Sequence, residues 1–281
     1  MAQHIDGFGR VRLADGVSVF QRGPTMVQFG VDATRTGVLE VAQPAAAVRA
    51  LTDAARPIAL HALTAALREA LGADASRRIV ADLVSYRLLV PAVAPHVVML
   101  GTSPLAARLA ALLHECRMAV HAPRKHQPDA DFLAGCDERA PLVVVDQLAR
   151  AGALTRMVKH RPGPVVPVAT VDSRVLIGPL REEPGNPCLR CINLHVAERD
   201  AGWERGVHAS PHGPASPDPV VVAAGAAAAA VAIRRVAGAP DPPGVSAPRL
   251  QPGQLAVVDP FGPKLVTHHT WAPHPRCTVC Y

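Results

Sequence analysis

The sequence predicts an α/β protein in two parts. A Rossmann-like, largely parallel sheet is expected from residue 96 onward, preceded over residues 1–92 by a small α+β module. Three observations carry this. After His96, short apolar runs alternate with helical patterns, the spacing of repeated βα units. Before it, three short alternating runs lead into three helical patterns, a content that suggests a winged-helix-like module. Between the two, "PAVAP" at 91–95 sets two prolines in five residues and marks a boundary.

The N-terminal runs are "VSVFQRG", "TMVQFGVD" and "TGVLEVA", separated by Gly23-Pro24 and by Asp32 to Gly37. They read as a small antiparallel meander. "PAAAVRALTDAA" then starts a helix at Pro44. "PIALHALTAALREALG" puts Ile58, Leu60, Leu63, Leu67 and Leu71 on one broad apolar face and ends at Gly72. "ASRRIVADLVSYRLLVPA" repeats the pattern with Ile79, Leu83 and Tyr86. In the second part "VVML" is a buried strand and Gly101 turns the chain. Ser103-Pro104 then supplies an N-cap followed by a proline at the first helical position of "PLAARLAALLHECRM". "AVHA", "PLVVVD", "GPVVPVAT" and "RVLIGPL" are further strands, with a helix over "LARAGALTRMVKHR". "GQLAVVDP" and "PKLVTHHTWAP" form a late hairpin, and the proline-rich "HASPHGPASPDP" is an exposed loop.

Composition excludes several classes. Of the 281 residues, 49% are apolar and 19% charged, as in a core-forming globular protein. The net charge of +6 is spread evenly: 10 Lys and Arg against 8 Asp and Glu before Ala94, and 19 against 15 after it. With nine aromatics and no basic patch, a nucleic-acid partner is not expected. "VVVAAGAAAAAVAI", Val220 to Ile233, spans 14 residues, too short to cross a bilayer. It reads as a core helix, with Arg234 and Arg235 in its last turn and Gly238 as its stop. The N-terminus shows no apolar h-region, so a cytoplasmic location without membrane contact is expected.

Four of the six cysteines fall in two Cys-x-x-Cys pairs, Cys188/Cys191 and Cys277/Cys280. In a reducing compartment such pairs favour metal over disulfide. Two Cys-x-x-Cys turns supply a tetrahedral four-sulfur set suited to zinc, and a four-thiolate site has no open position, so the ion would be structural. A redox dithiol is the alternative for one pair, but it leaves the second unexplained. His195, His268, His269 or His274 offers a substitute ligand, although four cysteines already complete the set. Cys116 and Cys136 read as inert buried thiols.

A nucleotide site is tested by "VMLGTSPLAA". Gly101 fills the first place of the dinucleotide fingerprint, but Ser103 stands in the second and Pro104 removes an amide that a phosphate would use. Near the place for a ribose carboxylate the sequence has His121. Asp146, which ends "PLVVVD", is either a magnesium-facing carboxylate or a helix cap. Gly101, Ser103 and Asp146 are thus the residues for ATP and Mg2+ if these bind, which the failed pattern argues against.

"GPLREEPGNPCLRC", the alanine helix ending "RRVAG", the late hairpin and the terminal "HPRCTVC" together resemble the E1-like superfamily of ThiF, MoeB and ubiquitin-activating enzymes. The closer resemblance is to the ocin-ThiF-like, leader-peptide-binding proteins associated with cyclodehydratases of thiazole/oxazole-modified peptides. There the first cysteine pair is followed by a His, an Arg-Asp and a Trp, here His195, Arg199-Asp200 and Trp203. "VFQRGPTMVQFGVD" is similar to the winged-helix-like peptide-clamp module that precedes that domain. The resemblance implies a zinc-bearing E1/ThiF-type domain with Cys188, Cys191, Cys277 and Cys280 as ligands. It carries over neither an intact glycine-rich loop nor a catalytic cysteine, so no catalytic residue is assigned. The expected function is binding of a leader peptide and its presentation to a partner, a YcaO-type or other modifying enzyme, by a homodimeric protein. His195 and Arg199, four apart on one helical face, with Asp200 and Trp203, are either a pinned surface helix or a docking face. The rival readings are an active adenylating enzyme using Asp146 and the Gly101 loop, and a DNA-binding regulator, which the even charge disfavours.

Overall fold

The structure is a computed structural model that describes residues 9–245 and 248–280. The first eight residues, part of the N-terminus without an h-region, lie outside the described residues. The chain divides into two compact units: residues up to Val93 with Pro240–Pro248, and Ala94–Ala239 with the chain from Arg249 onward.

The first unit carries two antiparallel three-stranded sheets. β1 (Arg10–Leu13) is central to the first. β2 (Val19–Gly23), β3 (Met26–Phe29), the single turn α1 (Ala33–Thr36) and β4 (Val38–Glu40) follow, and β2-β3-β4 is the meander expected from the alternating runs. α2 (Pro44–Asp53) begins on its proline. β5 (Ile58–Ala59) pairs with β1, so the next helix, α3 (Leu60–Leu71), starts later than its apolar pattern suggests. α4 (Ala73–Ser85) likewise ends early. Arg87 turns the chain at φ 59, and β6 (Leu89–Pro91) returns to pair with β1. Tyr86, placed on the apolar face by periodicity, is 69% exposed, and Pro91 of the expected boundary belongs to a strand. Local pattern cannot see this, because β1 supplies the pairing from eighty residues away. Val11, Val27, Phe29, Leu51, Leu63, Leu67 and Leu89 form the unit's core.

The second unit is built on one seven-stranded sheet. Its elements in order are β7 (His96–Leu100), α5 (Pro104–Glu115), β8 (Ala119–His121), α6 (Asp129–Ala134), β9 (Leu142–Val145), α7 (Ala151–Met157), β10 (Val165–Val171) and β11 (Arg174–Ile177). α8 (Leu189–Ala197), α9 (Trp203–Ala209), α10 (Pro219–Val236), β12 (Gln254–Val258) and β13 (Val266–Thr270) complete it. The sheet order is β13-β12-β11-β10-β9-β7-β8. The junctions among β10, β9, β7 and β8 are parallel, and those from β10 through β11 and β12 to β13 are antiparallel. The largely parallel sheet expected from the spacing is therefore mixed: β10–β11 and β12–β13 are consecutive antiparallel pairs, and the long connection through α8, α9 and α10 returns β12 antiparallel to β11.

Strand pleat divides the core. Val97, Met99, Val143 and Val145 pack with Leu105, Leu109 and Leu113 of α5 and with Val221, Ala226, Ala229 and Ile233 of α10. Val98, Leu100, Leu142 and Val144 face Phe132, Leu154, Leu189 and Ile192 on the other side. Both faces are covered, which is why these strands read as continuous apolar runs. α10 runs for 18 residues, longer than the 14 read from its apolar core, because Asp218 accepts the N–H groups of Val220 and Val221 and Pro219 opens the helix. By length and composition α10 is apolar enough to cross a membrane, yet its Val221, Ala226, Ala229 and Ile233 are buried in the core. Gly225 lets α10 approach the sheet: a Cβ there would collide with the Val175 side chain.

Candidate functional site

Both cysteine pairs come together in the second unit. Cys188 is the N-cap of α8 and Cys191 lies in its first turn, so the helix start aims two sulfurs at one point. The chain end supplies the other two. The Sγ atoms of Cys188 and Cys191, Cys188 and Cys277, and Cys191 and Cys280 are each 3.7 Å apart, and those of Cys277 and Cys280 are 3.6 Å apart. A tetrahedral ion with metal–sulfur bonds of about 2.3 Å sets its sulfurs about 3.8 Å apart, so the cluster fits a metal ion. Cys188, Cys191 and Cys277 are buried. Hydrogen bonding from Cys191 and then Cys280 holds Cys188 far below the usual thiol range, and the Cys188 sulfur pushes Cys191 and Cys280 up. An ion is the partner that would let all four ionise together.

The shell around the sulfurs explains His195. The His274 backbone N–H points at Cys191 Sγ at 3.4 Å. The His274 ring is 1% exposed, and its Nε2 meets Glu198 Oε1 at 2.8 Å. His195 Nε2 contacts the Ala272 carbonyl at 2.9 Å, and its ring packs on Trp271 and His274. The C-terminal half of α8 thus clamps the tail that carries the second pair. His195, Glu198 and His274 group closely enough to suggest a second ion. However, His274 Nδ1 accepts the Arg276 N–H at 3.1 Å. With Nδ1 so used, only Nε2 of that ring, the atom that meets Glu198, is left for an ion. That contact, with His274 first, holds the Glu198 carboxyl below its ordinary range.

The residues named for a nucleotide form a second closed cluster. Gly101 has φ 132, and a Cβ there would collide with the Val145 carbonyl, so close packing on β9 accounts for this glycine. Ser103 Oγ accepts the Ala106 N–H at 3.2 Å, capping α5, and donates to Asp146 Oδ2 at 2.5 Å. Asp146 Oδ1 accepts the Thr170 N–H at 2.5 Å, and the Gly213 turn packs against the same carboxylate. Asp146 is 4% exposed; burial pushes its carboxyl up, partly offset by these donors. It also lines a cavity of about 270 Å3 at the carboxyl ends of β9 and β10, and Asp200 and Trp203 line the same cavity. Trp203 Nε1 donates to Asn193 Oδ1 at 3.1 Å, and Asn193 Nδ2 donates to the Leu148 carbonyl at 2.8 Å. The four residues after the first cysteine pair therefore do not share one surface: His195 faces the tail, Asp200 and Trp203 face the cavity, and Arg199 is exposed.

A different site lies in the first unit, and its residues escaped the sequence reading. β4 is an edge strand. Phe29 N–H bonds Gly37 O, Val41 N–H bonds Thr25 O, and Leu39 pairs with Val27. That register turns the amides of Leu39 and Val41 toward β3 and those of Val38 and Glu40 away from it, while the Gly37 N–H bonds the Ala33 carbonyl. Beside this edge runs a groove of about 530 Å3, walled by Val38 and Leu39 and by Ile79, Leu83 and Tyr86 on and just past α4. Arg35 and Arg87 stand along it. Arg87 also donates to the Val245 carbonyl at 2.8 Å. The expected meander was the available signal; the groove beside its β4 edge was not.

The fold is one shared with solved heterocyclases. A heterocyclase solved in complex with substrate and cofactor is 15% identical, with a TM-score of 0.57 over 97% of this chain and 39% of that one. The heterocyclase TruD is 18% identical, with a TM-score of 0.53 over 96% of this chain and 42% of its own. The chain thus spans about two-fifths of the length of the structures it matches. At these identities the likeness is one of fold. No family model matches the chain, and no curated protein matches it.

Proposed function

We propose that this is a zinc-containing, non-catalytic protein of the E1/ThiF type whose N-terminal, winged-helix-like unit binds a precursor (leader) peptide and presents it to a partner modifying enzyme. The observation that carries the reading is the outward-facing amide edge at Val38 and Glu40 beside a groove with both apolar (Val38, Leu39, Ile79, Leu83) and polar (Arg35, Asp82, Arg87) lining. An extended peptide there gains main-chain hydrogen bonds from β4 and seats alternate side chains between β4 and α4. Zinc at Cys188, Cys191, Cys277 and Cys280 is structural in this reading: the closed thiolate set offers no position to a substrate. A heterocyclase or YcaO-type enzyme is the natural partner given the shared fold, acting with a cytoplasmic homodimer.

The test is panning of a phage-displayed library of linear peptides on the full chain, followed by calorimetry of the hits. Hits that compete with one another and lose affinity on Val38→Pro support the reading; hits indifferent to that change overturn it. A second reading, an active adenylating enzyme, draws on Asp146 at the carboxyl end of β9 beside a cavity. Peptide-dependent ATP–pyrophosphate exchange would establish it. The internal use of Ser103 and Asp146 supports the non-catalytic alternative.

A further inference from the structure

The cavity of about 270 Å3 in the second unit has no role in peptide binding at β4, and its position is the one where open α/β sheets hold ligands, outside the carboxyl ends of parallel strands. Its volume is below the roughly 300–1,000 Å3 usual for drug-sized ligands, which suits a single side-chain-sized group better than a nucleotide. One wall is Trp203. The indole is held in place before any ligand arrives, because its N–H is bonded to Asn193, itself bonded to the Leu148 carbonyl.

The lining then settles the sign of the ligand. Asp146, which is buried, and Asp172 and Asp200, which are exposed, line it, and no Lys, Arg or His is among the lining residues. The Asp146 carboxyl is bonded by Ser103 and Thr170, neutral groups, and no cation stands among the lining residues beside it. Asp172 and Asp200 are exposed, and Asp200 keeps one oxygen on the Gly202 N–H at 2.8 Å. A phosphate or carboxylate entering here would meet the carboxylates of Asp172 and Asp200. A cation would meet opposite charge and an aromatic ring beside it, the arrangement that favours alkylammonium and guanidinium groups.

We propose that this cavity binds an organic cation, an alkylguanidinium or alkylammonium group of side-chain size, with Trp203 as its wall and Asp172 and Asp200 as its charge partners. The group can come from a basic residue of a peptide or from a free amine, and the two sources are separable by experiment.

The full-length, metal-loaded protein is followed by 15N-resolved NMR of its two tryptophan indole N–H signals, assigned with Trp203→Phe. Agmatine is titrated in one arm and the blocked peptide acetyl-Gly-Arg-Gly-amide in the other; butyramide and AMP are the neutral and anionic controls. The expected result is a saturable shift of the Trp203 signal at millimolar agmatine or peptide, with Trp271 unmoved and neither control active. The affinity falls about tenfold or more in Asp172→Asn/Asp200→Asn, from the loss of charge-assisted contacts. Asparagine suits both sites: Asp172 has φ 51, which asparagine tolerates, and at 200 it keeps the oxygen that takes the Gly202 N–H. Tighter binding of the peptide assigns the source to a protein or peptide side chain, and equal binding to a free amine. No saturable shift with either cation, an unchanged affinity in the double variant, or a Trp203 shift with AMP overturns the proposal.

Discussion

The four-cysteine cluster and the β4 edge are opposite solutions to the same problem of polar groups. At the cluster every sulfur is turned inward against another, and the surrounding backbone closes over it. At β4 the register leaves the amides of Val38 and Glu40 directed away from the sheet, beside a groove of mixed apolar and polar lining. With an ion bound, such a closed set would offer no position to a substrate. The open edge is a liability unless something pairs with it, and natural proteins commonly blunt such edges. The difference teaches where to look for recognition: at the polar groups the fold does not satisfy, not at the most conspicuous motif.

The largest expected effect lies at the closed end. Cys188→Ser should reduce bound zinc from about one per chain to none and lower the Tm by roughly 10 °C or more, since metal binding of this kind is folding free energy. Metal analysis alongside calorimetry checks it, and removal of the ion by a chelator should reproduce the drop in the unmodified chain. Unchanged melting would show that the cluster is not a structural metal site and would break the contrast.

Next come two neighbouring prolines on β4. Leu39→Pro removes an amide that pairs with β3 and should destabilise the first unit by about 1–3 kcal/mol, the cost of leaving its partner carbonyl unpaired. Val38→Pro removes an outward amide instead, so it should leave Tm within a few degrees while weakening peptide binding about tenfold. Denaturation and calorimetry on the pair read the two faces of one strand; equal destabilisation by both would contradict the register described.

Gly225→Ala sets a methyl against Val175, and the crowding, about 1–3 kcal/mol, should outweigh the gain in helix propensity of about 1 kcal/mol. A lowered Tm is the expected readout.

The smallest effect concerns the buried Asp146 carboxyl, which burial raises above its ordinary value. An acid raised in the folded state binds more protons there than in the unfolded chain. Its contribution is full below the unfolded value and lost as pH rises through the folded one. Asp146→Asn should therefore flatten the decline in stability with rising pH just above the ordinary carboxylate range, as followed by melting across about pH 4 to 7. A variant with the same slope would mean that Asp146 is not the group responsible.

The cysteine pairs were legible because their spacing is local: a Cys-x-x-Cys turn declares itself, and only the meeting of two such turns needed the fold. The strands flanking α5 and α10 were legible because both faces of that sheet are buried, which makes each strand an unbroken apolar run. Ser103 was legible as an N-cap, but its bond to Asp146 spans 43 residues and no periodicity predicts it. The failure at α4 had the same cause. The helical pattern runs on through Tyr86, and pairing of Leu89 with Leu13 overrides it.

By itself, then, the sequence determined the thiolate set, the core-forming faces and the failure of the phosphate loop, since each depends on residue type and short spacing. Tertiary structure alone decided that the parallel sheet turns antiparallel after β10, that a groove runs beside the β4 edge, and that His195 faces the chain's tail while Asp200 and Trp203 face a cavity. Those outcomes depend on register and on contacts between residues far apart in the chain. On β4, a shift of one residue in register would exchange the amides that face β3 with those that face away.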